Sequence, residues 1–192
     1  MRLPPLPPDR LSPEQRPLYD DMKAGIAASF KGFVSERPDG ALVGPFNPML
    51  HFPALGKPLW DYLKALIASS TLPRAAREVA ILVTGARYAS RYELYAHERV
   101  GAGAGLGEAK IATIVAGERP ADLARDEAVA YDAAASLSRG GPLPEATYQA
   151  ALKAFGEQGA AELIYLVASY CFVSVLLNGY DVPVPGNAES PG

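Results

Sequence analysis

From Pro53 almost to Asn178 the apolar residues recur every three or four positions, and no stretch alternates apolar with polar residues at period two. A chain with that pattern has helices to pack and no sheet to pack them on. Leu55, Leu59, Leu63 and Leu66-Ile67 form one stripe. A second helix is predicted over 74–89, with Val79, Ala80, Leu82, Val83 and Ala86 inward, and a third starts near Ser90 and fades in the Gly-Ala run at 101–105. A short fourth covers 108–116 and is closed by Gly117 and Pro120; helices over 122–138, 144–155 and 160–178 follow. The expected fold class is all-α.

Ahead of this body the punctuation differs. Residues 1–12 are rich in proline, which removes donors and fixes φ, so they should form an extended arm, either mobile or laid across a neighbouring subunit. Ser12-Pro13-Glu14-Gln15 reads as a helix start with a capping box, and the helix should run to about Phe30 with Leu18, Met22 and Ile26 on one face. Residues 31–52 read as a long connector full of turn signals, whose apolar tail (Phe46, Met49, Leu50, Phe52) should pack on the body. The expected division is 1–52 for arm, helix and connector, 53–182 for the helical domain, and 183–192 for a disordered tail.

Composition narrows the function classes. With 49% hydrophobic residues the 192-residue chain can bury a real core, and a net charge of −3 with dispersed basic residues argues against nucleic-acid and membrane partners. The longest apolar run, 163–177, falls short of the ~20 residues that span a bilayer and is read as a buried core helix. A single cysteine, Cys171, leaves no intrachain disulfide; with a proline-rich start in place of an apolar signal, a cytoplasmic location is expected. The two histidines stand 46 positions apart with no cysteine cluster, so no metal site is expected.

Chemistry concentrates in one constellation: Arg77-Glu78, then Ser90, Glu93 and His97. Glu93 and His97 are four residues apart and share a helix face, and a carboxylate beside an imidazole is a proton-transfer pair near neutral pH. Each residue also has a structural reading. Ser90 and Glu93 fit a second capping box, Glu78 fits an ion pair with an arginine of a neighbouring helix, and His97 alone could be a core histidine. His51 reads as a packed loop residue, Tyr88, Tyr92 and Tyr95 as amphipathic packing with at most one hydroxyl on substrate, and Cys171 as an inert core thiol.

The segments Arg77-Glu78-Val79-Ala80-Ile81-Leu82, Tyr92-Glu93-Leu94-Tyr95-Ala96-His97, Gly105-Leu106 and 111–117 together resemble the carboxymuconolactone decarboxylase family, part of the alkyl hydroperoxidase D (AhpD)-like superfamily. The likeness is close over about 53–117, and Leu42-Val43-Gly44-Pro45-Phe46-Asn47 resembles members with an N-terminal extension. The hydroperoxidase branch carries two cysteines where this chain has Ser90 and Glu93, and neither residue can attack peroxide or resolve the product. The resemblance therefore implies an AhpD-like helical domain with an N-terminal extension, acting as a lyase without a cofactor on a small anionic, lactone-type substrate. It implies His97, Glu93 and Glu78 as catalytic residues and assembly into a homo-oligomer, a trimer or hexamer. For the substrate carboxylate, Arg87 and Arg91 flank the helix start that Ser90 and Tyr92 share, so these four are the expected substrate contacts. Peroxide chemistry and plain ligand binding stand as the alternatives.

Overall fold

The computed structural model describes residues 1–29 and 31–186, and among them regular structure is entirely helical apart from one isolated bridge between Glu36 and Leu42. The helices are α1 (Arg16–Ser29), α2 (Phe46–His51), α3 (Pro53–Ala68), α4 (Arg74–Arg87), α5 (Arg91–Gly103), α6 (Glu108–Val115), α7 (Arg125–Leu137) and α8 (Glu145–Gly179). Residues 183–186 carry no regular structure, and the remainder of the expected disordered tail lies outside the described residues.

At the centre sits α4. Ala76, Val79, Ala80, Ile81, Leu82 and Val83 are all buried, so apolar residues surround this helix rather than forming a stripe along it. It packs against α5, α6, α7 and α8, and its residues join Ile111, Ile114, Ala130, Ala133, Leu163 and Leu166 in the main core. α8 is two helices joined end to end. Gly156 holds φ 69° and ψ −178°, an extended backbone that only glycine adopts easily, which accounts for the separate helices expected over 144–155 and 160–178.

A second core joins the extension to the body. Leu18, Tyr19, Met22 and Ile26 of α1 meet Leu42, Phe46, Met49 and Leu50 around the fully buried Trp60 of α3. The start of α1 follows expectation: Ser12 N–H donates to Gln15 Oε1 at 2.9 Å while Gln15 N–H donates to Ser12 Oγ at 3.3 Å. Leu55 departs from its stripe and is 76% exposed.

Three expectations need correction. The arm over 1–12 lies along its own chain. Arg2 N–H donates to Tyr180 O at 2.8 Å, and Pro4 O accepts from Asn47 Nδ2 at 3.3 Å and from His51 Nε2 at 2.8 Å. Proline removes donors but keeps its carbonyl, so a proline-rich arm can still be held by donors from the body. The connector over 31–52 contains α2, which runs through Asn47-Pro48 because proline is tolerated in a first turn. And 163–177 is not wholly buried, since Phe172 and Val175 are more than half exposed.

Among the described residues one helix, α8, is long and apolar enough to cross a membrane, but half of its most apolar window is buried inside the molecule. Glu162, ion-paired to Arg77, interrupts its apolar run.

Candidate active site

α4 and α5 are joined by a tight turn, Tyr88–Ser90, in which Ala89 takes φ +48° and Asn178 Nδ2 holds Tyr88 O at 2.7 Å. The turn brings Glu78 of α4 against one face of α5, where Glu93 and His97 stand one turn apart. His97 Nδ1 lies 2.7 Å from Glu78 Oε2, and Nε2 lies 3.4 Å from Glu93 Oε2. Glu78, Glu93 and His97 are all buried. The half-buried Tyr170 of α8 meets the imidazole edge-on, with ring centroids 5.1 Å apart.

These charges change one another's protonation. Burial disfavours a charged His97, but Glu78 and Glu93 outweigh it against a smaller opposing effect of Arg77, and the pKa lies above the ordinary 6.5. Burial raises the Glu93 carboxyl above its ordinary 4.5, with His97 acting against that and Glu78 adding to it. Tyr170, desolvated and facing both carboxylates, is raised well above 10 and stays a neutral phenol.

His97, Arg77 and Tyr170 stand between two cavities. The inner one, about 50 Å³, is walled by Leu63, Leu66, Tyr92 and Val173 together with Phe33, Pro45 and Phe46 of the extension. Glu93 opens on this side. The outer one, about 520 Å³, opens on the Glu78 side. The extension thus closes the inner cavity, and two tyrosines of α5 hold it there. Tyr92 Oη donates to Val34 O at 2.7 Å, and Val34 N–H donates to Tyr95 Oη at 3.2 Å. Gly44, at φ +66°, passes so close to Tyr92 that a Cβ would stand 2.3 Å from its ring.

Beneath the site, Glu162 organises the entry to α4. Its carboxylate accepts from Ser70 Oγ at 2.5 Å, Thr71 N at 2.6 Å, Thr71 Oγ1 at 3.0 Å, Leu72 N at 3.1 Å and Arg77 at 3.1 Å. Desolvation opposes its charge, but the donors from Ser70 and Thr71 prevail and its pKa falls below the ordinary 4.5.

Of the residues singled out from sequence, Glu78, Glu93, His97 and Tyr92 meet at this site, and Arg77 joins them. Ser90 is buried at the N-cap of α5, but its hydroxyl makes no cap hydrogen bond and has no partner among the described residues. The expected capping box at α5 is therefore absent; Glu93 faces His97 instead of reaching back to the helix start. Arg87 lines a separate cavity with Tyr131 and Arg139, and Arg91 is exposed and paired with Asp181 at 2.8 Å. Neither lines the His97 cavities, because both project from other faces of α4 and α5. His51, expected as a loop residue, is the last residue of α2 and packs on Pro4 O through Nε2.

Sequence reasoning missed Tyr170 and Glu162. A tyrosine in an apolar helix carries no signal of its own. Glu162 did carry one: a lone carboxylate between Ala160-Ala161 and Leu163-Ile164 has to find buried donors.

No protein-family model and no curated protein matches this chain. Two crystal structures do match it by fold: the debrominase Bmp8 in complex with 2,3,4-tribromopyrrole, and the same enzyme in its apo form. The first gives a TM-score of 0.70 at 14% identity over 96% of this chain and 92% of that one; the second gives 0.69 at 14% over 94% and 90%. The fold is all-α and AhpD-like, as expected from the sequence.

Proposed function

We propose that this protein is a cofactor-independent acid–base enzyme of the decarboxylase or lyase type, acting on a small carboxylated, lactone-type compound. One observation carries the reading: His97 is bonded through Nδ1 to Glu78, leaving Nε2 beside Glu93 at a cavity wall. An imidazole fixed in that way presents one defined nitrogen to a ligand, and its raised pKa favours the protonated form.

In the reaction, the bond between the carboxylate carbon and the ring carbon breaks and CO₂ leaves. The electron pair delocalises into the lactone carbonyl, and His97 Nε2–H delivers the proton to carbon. Glu78 and Glu93 stabilise the imidazolium beforehand, and solvent returns the proton afterwards.

The peroxidase alternative has less support. Ser90 and Glu93 supply no thiol, and burial raises the Cys171 thiol above its ordinary 9.0, against the thiolate that peroxide reduction needs. Non-catalytic binding of a small apolar molecule is the second reading, favoured by the composition of the inner cavity. Bmp8 is a debrominase with a small bromopyrrole ligand, so this fold can accommodate a small ring.

The test is CO₂ release from 4-carboxymuconolactone by wild type and His97→Gln. Turnover in wild type that falls by at least about 10²-fold in the variant supports the reading; turnover equal in both rejects the role of His97, and none in either rejects this substrate. We place the protein in the cytoplasm and expect a homo-oligomer.

A further inference from the structure

The outer cavity differs in character from the inner one. Lys31, Arg74, Arg77 and Arg99 line it, against one carboxylate, Glu78, whose charge is already engaged by His97. Arg77 is likewise offset, by Glu162 at 3.1 Å. That leaves Lys31, Arg74 and Arg99 to set the potential of the vestibule. Arg99 is held in place: its guanidinium lies 4.0 Å over the Tyr95 ring and donates to Tyr95 O at 2.6 Å. Arg74 is the first residue of α4, and its side chain is exposed at the rim.

A basic vestibule of about 520 Å³ and an apolar chamber of about 50 Å³ thus share one wall, formed by Ile67, Arg77, His97 and Tyr170. A ligand reaching from one to the other must be two-sided, with a charged end that stays in the vestibule and an apolar end that enters the chamber. We infer that Arg74 and Arg99 are the residues that select an anionic substrate, holding a carboxylate in the vestibule while the uncharged part of the molecule passes His97 into the chamber. The inference deepens the function proposed above and rests on it for the direction in which the substrate faces His97. It replaces Arg87 and Arg91, which lie on other faces, as the carboxylate anchors.

A matched pair of probes tests this without turnover. 2-Furoate and 2-furamide have nearly the same shape and differ by one charge. Calorimetric titration should show wild type binding furoate more tightly by about tenfold, the effect of one or two charge-assisted hydrogen bonds at a partly solvated site. Arg74→Gln/Arg99→Gln should lose that preference while keeping its affinity for furamide, and Arg87→Gln/Arg91→Gln should keep the preference. Equal affinities in wild type, a preference that survives in Arg74→Gln/Arg99→Gln, or no furoate binding at millimolar concentration would each overturn the inference. The lactone assay on wild type separates the two proposals: no turnover by wild type with its furoate preference intact strikes the decarboxylase reading alone.

Discussion

Two carboxylates and one imidazole share a buried volume at this site, and their charges depend on one another. Because the folded protein binds the His97 proton more tightly than the unfolded chain does, His97 contributes stability below pH 6.5 that is lost as pH rises through its raised value. Glu93 has the same sign over a lower range, with stability falling as pH rises above 4.5. Glu162 has the opposite sign: its stabilisation is present above 4.5 and lost as pH falls through its lowered value. Thermal melts across pH should therefore show His97→Gln flattening the alkaline side and Glu162→Gln flattening the acid side. Five donors converge on Glu162, so Glu162→Ala should cost about 3–5 kcal/mol in urea unfolding, the usual loss when a buried charge partner is removed. Ser90→Ala should cost less than about 0.5 kcal/mol, against the ~1 kcal/mol of a working N-cap, because its hydroxyl makes no cap bond.

At the scale of elements, the α4–α5 turn decides whether the site forms at all. Ala89 is exposed at φ +48°, where a Cβ is disfavoured, so Ala89→Gly should raise stability by roughly 0.5–1 kcal/mol in the same unfolding assay. The strap over the inner cavity is the second such element. Gly44→Ala must push either the strap or the Tyr92 ring aside, which should expose residues 33–45 to limited proteolysis while α4 and α8 stay intact. The sequence was most informative about helices with a clear stripe and clear stops: Leu18, Met22 and Ile26 lie buried on α1, and Gly156 separates the halves of α8. It was misleading where turn chemistry competes with packing. Asn47-Pro48 looks like a turn, yet burial of Phe46, Met49 and Leu50 around Trp60 holds it in α2. Spacing placed Glu78, Glu93 and His97 together because i,i+4 geometry and a short turn are local. It could not place Arg87 and Arg91 relative to the His97 cavities, because the face from which an arginine projects depends on how α4 and α5 dock.

For the whole molecule, the exposed apolar side of α8 is the feature on which the expected homo-oligomer is tested. Ile164, Tyr165, Phe172 and Val175 recur at helical spacing along its outer face, and Tyr165, Phe172 and Val175 are each more than half exposed. Light scattering should find more than one chain per particle, and Phe172→Glu should shift it toward monomer without unfolding; a monomeric wild type would leave this stripe without its expected role. The same molecule joins a helical body to an extension that completes the inner chamber, so fold and pocket are not separable. The most direct test of the account is an NMR titration of the His97 imidazole in wild type and in Glu78→Gln. The account predicts a wild-type pKa above the ordinary 6.5, lowered when Glu78 loses its charge. A wild-type His97 that titrates at or below 6.5, or a value unmoved by Glu78→Gln, would contradict it.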